Sequence, residues 1–178
     1  MKESQLPDLG IKILTVENWL VPDPIMAVFA KMDFRTGEPS SMTASEWVEI
    51  LLEPKLLETV PASIIKLFEV ARGAMLYGYF FYPLYTSGLE QVYRVAEAAI
   101  TAKCEEVGIP TRNKDFADKI KALIGKNVLT SQQVEEWHGI WEFGNQASHP
   151  KEQMILPPGV VSALLQDLAN GINALFSV

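Results

Sequence analysis

The chain has 178 residues, which is enough for one domain with a sizeable core. Its hydrophobic content of 48% and charged content of 21% are those of a globular protein rather than a disordered one. The formal net charge of −7 argues against extended, non-specific binding of nucleic acid, which needs a basic surface to displace counterions.

Cysteine usage and hydropathy predict a cytoplasmic protein without a membrane span. Cys104 is the only cysteine, so no intrachain disulfide can form and a reducing compartment fits. The first ten residues lack the apolar core of a signal peptide. The longest uncharged run, between Arg72 and Glu90, is interrupted by glycines and by Pro83, which makes it a poor membrane helix.

Residues 1–60 are predicted to form an acidic, partly helical extension that packs on or near the rest of the chain. They carry 5 Lys and Arg against 10 Asp and Glu, a net charge of −5, whereas residues 61–178 have a net charge of −2. Asp23 followed by Pro24 predicts a helix start, and Thr43 with Glu46 forms a capping box. Segment 11–16 reads as a short strand, yet no later segment offers it a partner.

From residue 61 onward the apolar residues recur at helical spacing, with start and stop signals between the segments. The predicted helices are 61–82, a helix from the capping box at 87–90 to Gly108, 115–124, a helix from the capping box at 130–133, and 158–176. The links between them are short. The sequence therefore predicts an all-α, antiparallel up-and-down helical bundle over residues 61–178.

Two clusters inside the bundle admit a structural and a functional interpretation. Five aromatic residues precede Pro83, namely Tyr77, Tyr79, Phe80, Phe81 and Tyr82. They fit a core, with an exposed interface or a small-molecule pocket shared with Trp137 and Trp141 as the alternatives. A basic stretch holds Arg112, Lys114, Lys119, Lys121 and Lys126. It fits a solvated helix face, with a phosphate-facing surface as the alternative. Cys104 lies on an apolar helix stripe and is predicted to be an inert core thiol.

A polar cluster of Asn145, Ser148 and His149 lies where the helix from Thr130 is expected to stop before Pro150. Asn145 and His149 are four residues apart, so in a continuing helix they would share a face and could converge on one ligand. The alternative is that they only terminate the helix and bond its free carbonyls. The helix register points the two histidines in different directions, and the sequence has no glycine-rich phosphate loop. Neither a metal nor a cofactor is therefore predicted.

The stretch FADKIKALIGKNVLTSQQVEEWHGIWEFGNQASHP, preceded by the helix GLEQVYRVAEAAITAKCEEVG, resembles the HEPN superfamily. It is most similar to the bacterial branch of unknown function in which an RNxxxHP motif closes a helix. The resemblance covers residues 61–178 and implies a helical bundle that is commonly a homodimer. It also implies metal-independent ribonuclease activity in the active members, often within toxin–antitoxin or defence systems, where an arginine and a histidine from two protomers act at the scissile phosphate.

Carried over by position, the resemblance makes His149 the general base and Asn145 the polar residue of the motif, but it places Gly144 where the arginine belongs. Losing that cation should cost several kcal/mol of transition-state stabilisation. We therefore expect a non-catalytic HEPN-like domain acting in dimerisation or partner binding, with another protein as a further partner.

The alternative is a metal-independent endoribonuclease that uses His149 as general base. Arg94 or Arg112 would then replace the motif arginine, and together with Ser148 these are the candidate binding residues. The net charge disfavours RNA as a partner, and neither DNA nor a membrane is predicted.

Overall fold

The computed structural model describes residues 10–32, 37, 39–148 and 157–177, of which 30–32, 39 and 144–148 are described through their backbone only. The α-helices in this part of the chain are α1 (Ala44–Leu52), α2 (Ala62–Tyr77), α3 (Leu84–Glu106), α4 (Phe116–Gly125), α5 (Ser131–Ser148) and α6 (Pro158–Phe176). A 3-10 helix (Pro24–Val28) and two short antiparallel strands, β1 (Ala30–Met32) and β2 (Pro39–Ser41), precede them. The protein is an all-α helical bundle, as the sequence predicts.

Three of the predicted helix starts are confirmed by their hydrogen bonds. The Asp23 carboxylate accepts from the backbone N–H of Ile25 at 3.1 Å, which starts the 3-10 helix. At α1, the backbone N–H of Glu46 donates to the Thr43 hydroxyl at 3.3 Å, and that of Thr43 donates to the Glu46 carboxylate at 2.9 Å. Thr130 makes the same reciprocal pair with a glutamine three residues on. These polar side chains satisfy N–H groups that helix starts leave free.

The predicted boundary between α2 and α3 is wrong by several residues. Helix α2 ends at Tyr77 rather than at residue 82, and α3 begins at Leu84, so the predicted capping box at 87–90 lies inside a helix. Pro83 explains the shift, because proline lacks the N–H needed in a helix interior but fits at a helix start. Starting α3 early also buries Tyr85, which is fully inaccessible to solvent.

The predicted strand at 11–16 is also wrong. Residues 11–15 form no regular element and residues 16–20 form a turn, while the strands that do form, β1 and β2, lie further along the chain. Gly37, with φ of 72°, lies between the two strands. This left-handed backbone conformation suits glycine and allows the chain to reverse there.

Helix α3 is the centre of the bundle, since it packs against α2, α4, α5 and α6. Its buried residues are Tyr85, Thr86, Gly88, Leu89, Val92, Val95, Ala96, Ala99, Ile100 and Cys104. Trp47 and Leu51 of α1, with Ile25 and Met26 of the 3-10 helix, belong to the same hydrophobic core. Described residues before Pro61 therefore share their apolar burial with the bundle.

Glycines set the separation of α2 and α3. A Cβ added at Gly88 would lie 2.7 Å from Cγ of Met75, and one added at Gly78 would lie 2.7 Å from the Tyr85 ring. Both distances are shorter than carbon atoms tolerate. Gly73 differs, because a Cβ there would meet nothing within 4 Å.

These glycines give a matched pair of stability predictions. We expect Gly88→Ala to lower the free energy of unfolding by about 1–3 kcal/mol, because the methyl group overpacks the α2–α3 contact. Gly73→Ala, in the interior of α2, should raise it by about 0.5–1 kcal/mol through lower unfolded-state entropy. Urea denaturation measures both values. A Gly88→Ala protein at least as stable as the Gly73→Ala protein would contradict this packing.

Candidate interaction surface

The polar cluster at the end of α5 falls at the edge of the described residues. Asn145 and Ser148 lie in the last turn of α5, where the structure describes the backbone only, and His149 lies outside the described residues. Arg94 is exposed on α3, and Arg112 is exposed in the link between α3 and α4. The role of these five residues stays a prediction.

The structure also bears on metals and membranes. Within residues 10–32, 37, 39–148 and 157–177, no group of three or more His, Cys, Asp or Glu side chains could hold a metal ion. Over the same part of the chain, we find no helix whose length and apolar character would let it span a bilayer.

The prediction of a core role for the aromatic cluster before Pro83 holds for two of its five residues, while Phe80 and Phe81 are half-buried. Tyr79 and Tyr82 are buried, and the Tyr82 ring lies edge-on to Tyr85 with 5.1 Å between centroids. Tyr77 is 58% exposed. Trp137 of α5 packs instead against Gly171 of α6. These contacts lie on different elements, so they do not support a small-molecule pocket shared by the two sets of rings.

The basic stretch around α4 contains both a buried, ion-paired lysine and exposed lysines. Lys119 is buried, where its ammonium group pairs with the Glu97 carboxylate and donates to the Thr101 hydroxyl at 3.0 Å. The expectation of a solvated face is therefore wrong for Lys119, because its charge is neutralised inside the α3–α4 contact. Lys121 and Lys126 are exposed and fit that expectation.

The corner between α2 and α3 leaves backbone groups without helical partners, and residues near the N-terminus provide those partners. The Lys12 ammonium group donates to the Phe80 carbonyl at 2.9 Å. The Asp23 carboxylate accepts from the Tyr82 N–H at 2.8 Å, and the Asp23 N–H donates to the Tyr79 carbonyl at 2.9 Å. Since buried backbone groups need partners, these bonds fix the early chain to the corner.

Between Lys12 and Asp23 the chain folds back on itself. Lys12 also donates to the Val21 carbonyl at 2.7 Å, which joins the two ends of the loop. Within it, the Asn18 side chain accepts from the Thr15 N–H at 2.9 Å and donates to the Ile13 carbonyl at 2.9 Å. Such side-chain bonds to the local backbone define a turn.

We refer to residues 11–21 as the apolar segment, because large hydrophobic side chains along it are exposed to solvent. Ile13 and Val16 are 83% and 85% exposed, and Trp19 is 57% exposed. The other exposed members are Ile11, Leu14, Leu20 and Val21. Monomeric soluble proteins rarely expose contiguous apolar patches of this kind, and those that occur commonly mark binding surfaces. The apolar segment is therefore the candidate functional site in the described part of the chain.

Sequence reasoning missed this surface, although a signal was present. The run IKILTVENWLV holds seven large apolar residues in eleven positions, and its first six residues, 11–16, match the pattern of a strand for which the chain offers no partner. The absence of any matching segment in the chain was the signal. An apolar stretch that its own fold does not bury points to burial against another surface.

No protein-family model, curated protein or solved structure matches the chain. The resemblance to the HEPN superfamily accordingly rests on the residues and motif spacing alone.

The thiol of Cys104 gives a prediction about reactivity. Burial raises the pKa of Cys104, a shift that the nearby Lys119 charge partly opposes, and the residue is fully buried. Because a raised pKa leaves less thiolate at neutral pH, we expect no reaction with a disulfide reagent in the folded protein and one thiol after unfolding. The control is Ser87→Cys, exposed on the same helix, which should react while folded. Rapid labelling of Cys104 in native protein would contradict the burial.

Proposed function

We propose that the protein is a non-catalytic, HEPN-like helical domain that works by association, and that it forms a homodimer through the apolar segment. The observation that supports this most directly is the exposure of seven large apolar side chains on a turn whose backbone is already held in place. Such a surface suits the binding of a partner rather than catalysis.

The energetics favour association at this surface. Removing a large apolar side chain from water contributes roughly 1.5–3 kcal/mol, so a few of these residues offset much of the cost of bringing two chains together. The bonds of Lys12 and Asn18 order the segment before binding, which lowers the entropy lost on association. Trp19 is the natural anchor, since tryptophan is enriched among residues that dominate binding energy.

A second copy of the chain is the partner that the charges allow. The apolar segment carries one cation, Lys12, and one anion, Glu17, so it is neutral within a protein of net charge −7. Two copies can therefore meet at this segment with little repulsion. Each copy presents the same surface, which suits a two-fold interface in which equivalent residues face one another. The dimers common in the family that the sequence resembles support the same proposal.

The position of Gly144 supports a non-catalytic role. In the resemblance, Gly144 occupies the place of the arginine that meets the charged transition state, and glycine has no side chain to do so. The HP pair at His149 and Pro150 is the feature that favours the alternative, an endoribonuclease without metal.

The dimer is tested by placing charges in the apolar segment. We expect the wild type to sediment as a dimer and the double variant Ile13→Glu, Trp19→Glu to sediment as a monomer, because two carboxylates per protomer cannot be buried unpaired. The matched control is Val70→Glu, Tyr77→Glu, two exposed apolar residues on α2, which should leave the dimer intact. A monomeric wild type at all concentrations, or equal dissociation of both variants, would contradict the proposal.

The non-catalytic role is tested with RNA in the presence of a chelator. We expect the wild type to cleave no more RNA than His149→Ala, since the motif arginine is absent. Gel analysis of a labelled single-stranded RNA gives the rates. Cleavage by the wild type that is lost in His149→Ala would favour the ribonuclease, and a further loss in Arg94→Ala or Arg112→Ala would identify the replacing cation.

A further inference from the structure

A groove runs between α5 and α6 with a volume of about 340 Å³. Its apolar lining comes from Ile140, Phe143 and Leu164, and Phe143 is 38% exposed. We call it the acidic groove, because its other lining residues include Glu135, Glu136 and Asp167. The groove lies on helices that do not contain the apolar segment.

The two helices that form the acidic groove contain no lysine or arginine. Helix α5 carries Glu135, Glu136 and Glu142, and α6 carries Asp167. A neighbouring groove between α1 and α6 is lined by Glu53 and shares Asn170 with the acidic groove. Among the lining residues of both grooves the formal charges are all negative, so this face of the protein attracts cations.

The two helices that form the groove are in close contact. Trp137 of α5 packs so tightly on α6 that a Cβ added at Gly171 would lie 3.3 Å from its ring. Gly139 lines the groove, and a Cβ there would meet nothing within 4 Å. A ligand backbone can therefore approach α5 closely at Gly139.

We propose that the acidic groove binds an amphipathic helix of another protein, one that carries lysine or arginine on both sides of an apolar stripe. Its apolar side chains would contact Ile140, Phe143 and Leu164, and its cations would face the three carboxylates. The long aliphatic stems of lysine and arginine suit this combination of an apolar floor and a charged rim. A helix laid into a hydrophobic groove is a common mode of peptide recognition.

The alternative occupant is a second copy of this chain. Its α4 presents Ile124, which is 40% exposed, with Lys121 and Lys126 exposed nearby. Placing α4 of one copy in the groove of the next joins two different surfaces, which makes rings or open chains rather than a two-fold dimer. Helix α4 also exposes Asp118, which the groove carboxylates would repel. A separate cationic partner fits the charges better.

The test uses a fluorescent synthetic helix of 18 residues, the length of α5, built from leucine at i, i+3, i+4 and i+7 positions with lysine elsewhere. We expect it to bind the wild type saturably in fluorescence anisotropy, more weakly as salt is raised, because salt screens exposed charges. The same peptide with glutamate in place of lysine should not bind. Absence of saturable binding, or equal binding of the two peptides, would overturn the proposal.

Charge-reversal variants locate the binding. Glu136→Lys with Asp167→Lys should weaken it at least about tenfold, because two attractive contacts become repulsive. The matched control, Glu58→Lys with Glu90→Lys, makes the same change in net charge at exposed residues away from both groove helices and should alter affinity by less than about twofold. Circular dichroism checks that both proteins are folded. Equal weakening in both would show a non-specific attraction and overturn the site.

Two further variants separate this inference from the proposed dimer. Gly139→Leu fills the groove without adding charge and should weaken binding of the lysine peptide, whereas Ile13→Glu, Trp19→Glu should leave that binding unchanged. If the groove variants instead abolish self-association of the protein, a second copy occupies the groove and the proposal fails. Binding that survives in Gly139→Leu would also count against it.

Discussion

The corner between α2 and α3 imposes the requirement on which the N-terminal structure depends. Six residues there, 78–83, lie between the two helices. Carbonyls of α2 accept from several of their N–H groups, but the Tyr79 and Phe80 carbonyls and the Tyr82 N–H are bonded by residues of the early chain. Lys12 bonds the Phe80 carbonyl, and Asp23 bonds both the Tyr79 carbonyl and the Tyr82 N–H. A buried polar group without a partner would cost about 1–3 kcal/mol, so these contacts hold the early chain on the corner.

This attachment explains why the apolar segment is ordered although its hydrophobic side chains are exposed. The hydrogen bonds satisfy the backbone and leave the hydrophobic side chains outside, which is the reverse of the arrangement in the core. An unfolded stretch would lose conformational entropy on binding, which would offset much of the binding free energy. A segment held by Lys12 and Asn18 is already ordered before it binds. We propose that copies of the chain meet at this neutral, apolar surface, and that the acidic groove binds a partner of opposite charge.

Local signals in the sequence predicted the helices well, because capping residues such as Asp23, Thr43 and Thr130 act on the adjacent backbone and need no tertiary contact. The start of α3 was missed, since Ser87 matches a capping box but burial of Tyr85 and the close approach at Gly88 extend the helix past it. The apolar segment could not be placed from sequence, because its position depends on bonds between residues that are far apart, such as Lys12 and Phe80.

The central claim is that residues 11–21 form a preformed surface that associates with a second copy, and amide hydrogen exchange at low and high protein concentration tests it most directly. We predict that amides of this segment exchange more slowly in concentrated protein than in dilute protein, while those of the exposed faces of α4 do not change. A segment that exchanges as fast as an unfolded peptide at both concentrations would contradict the account.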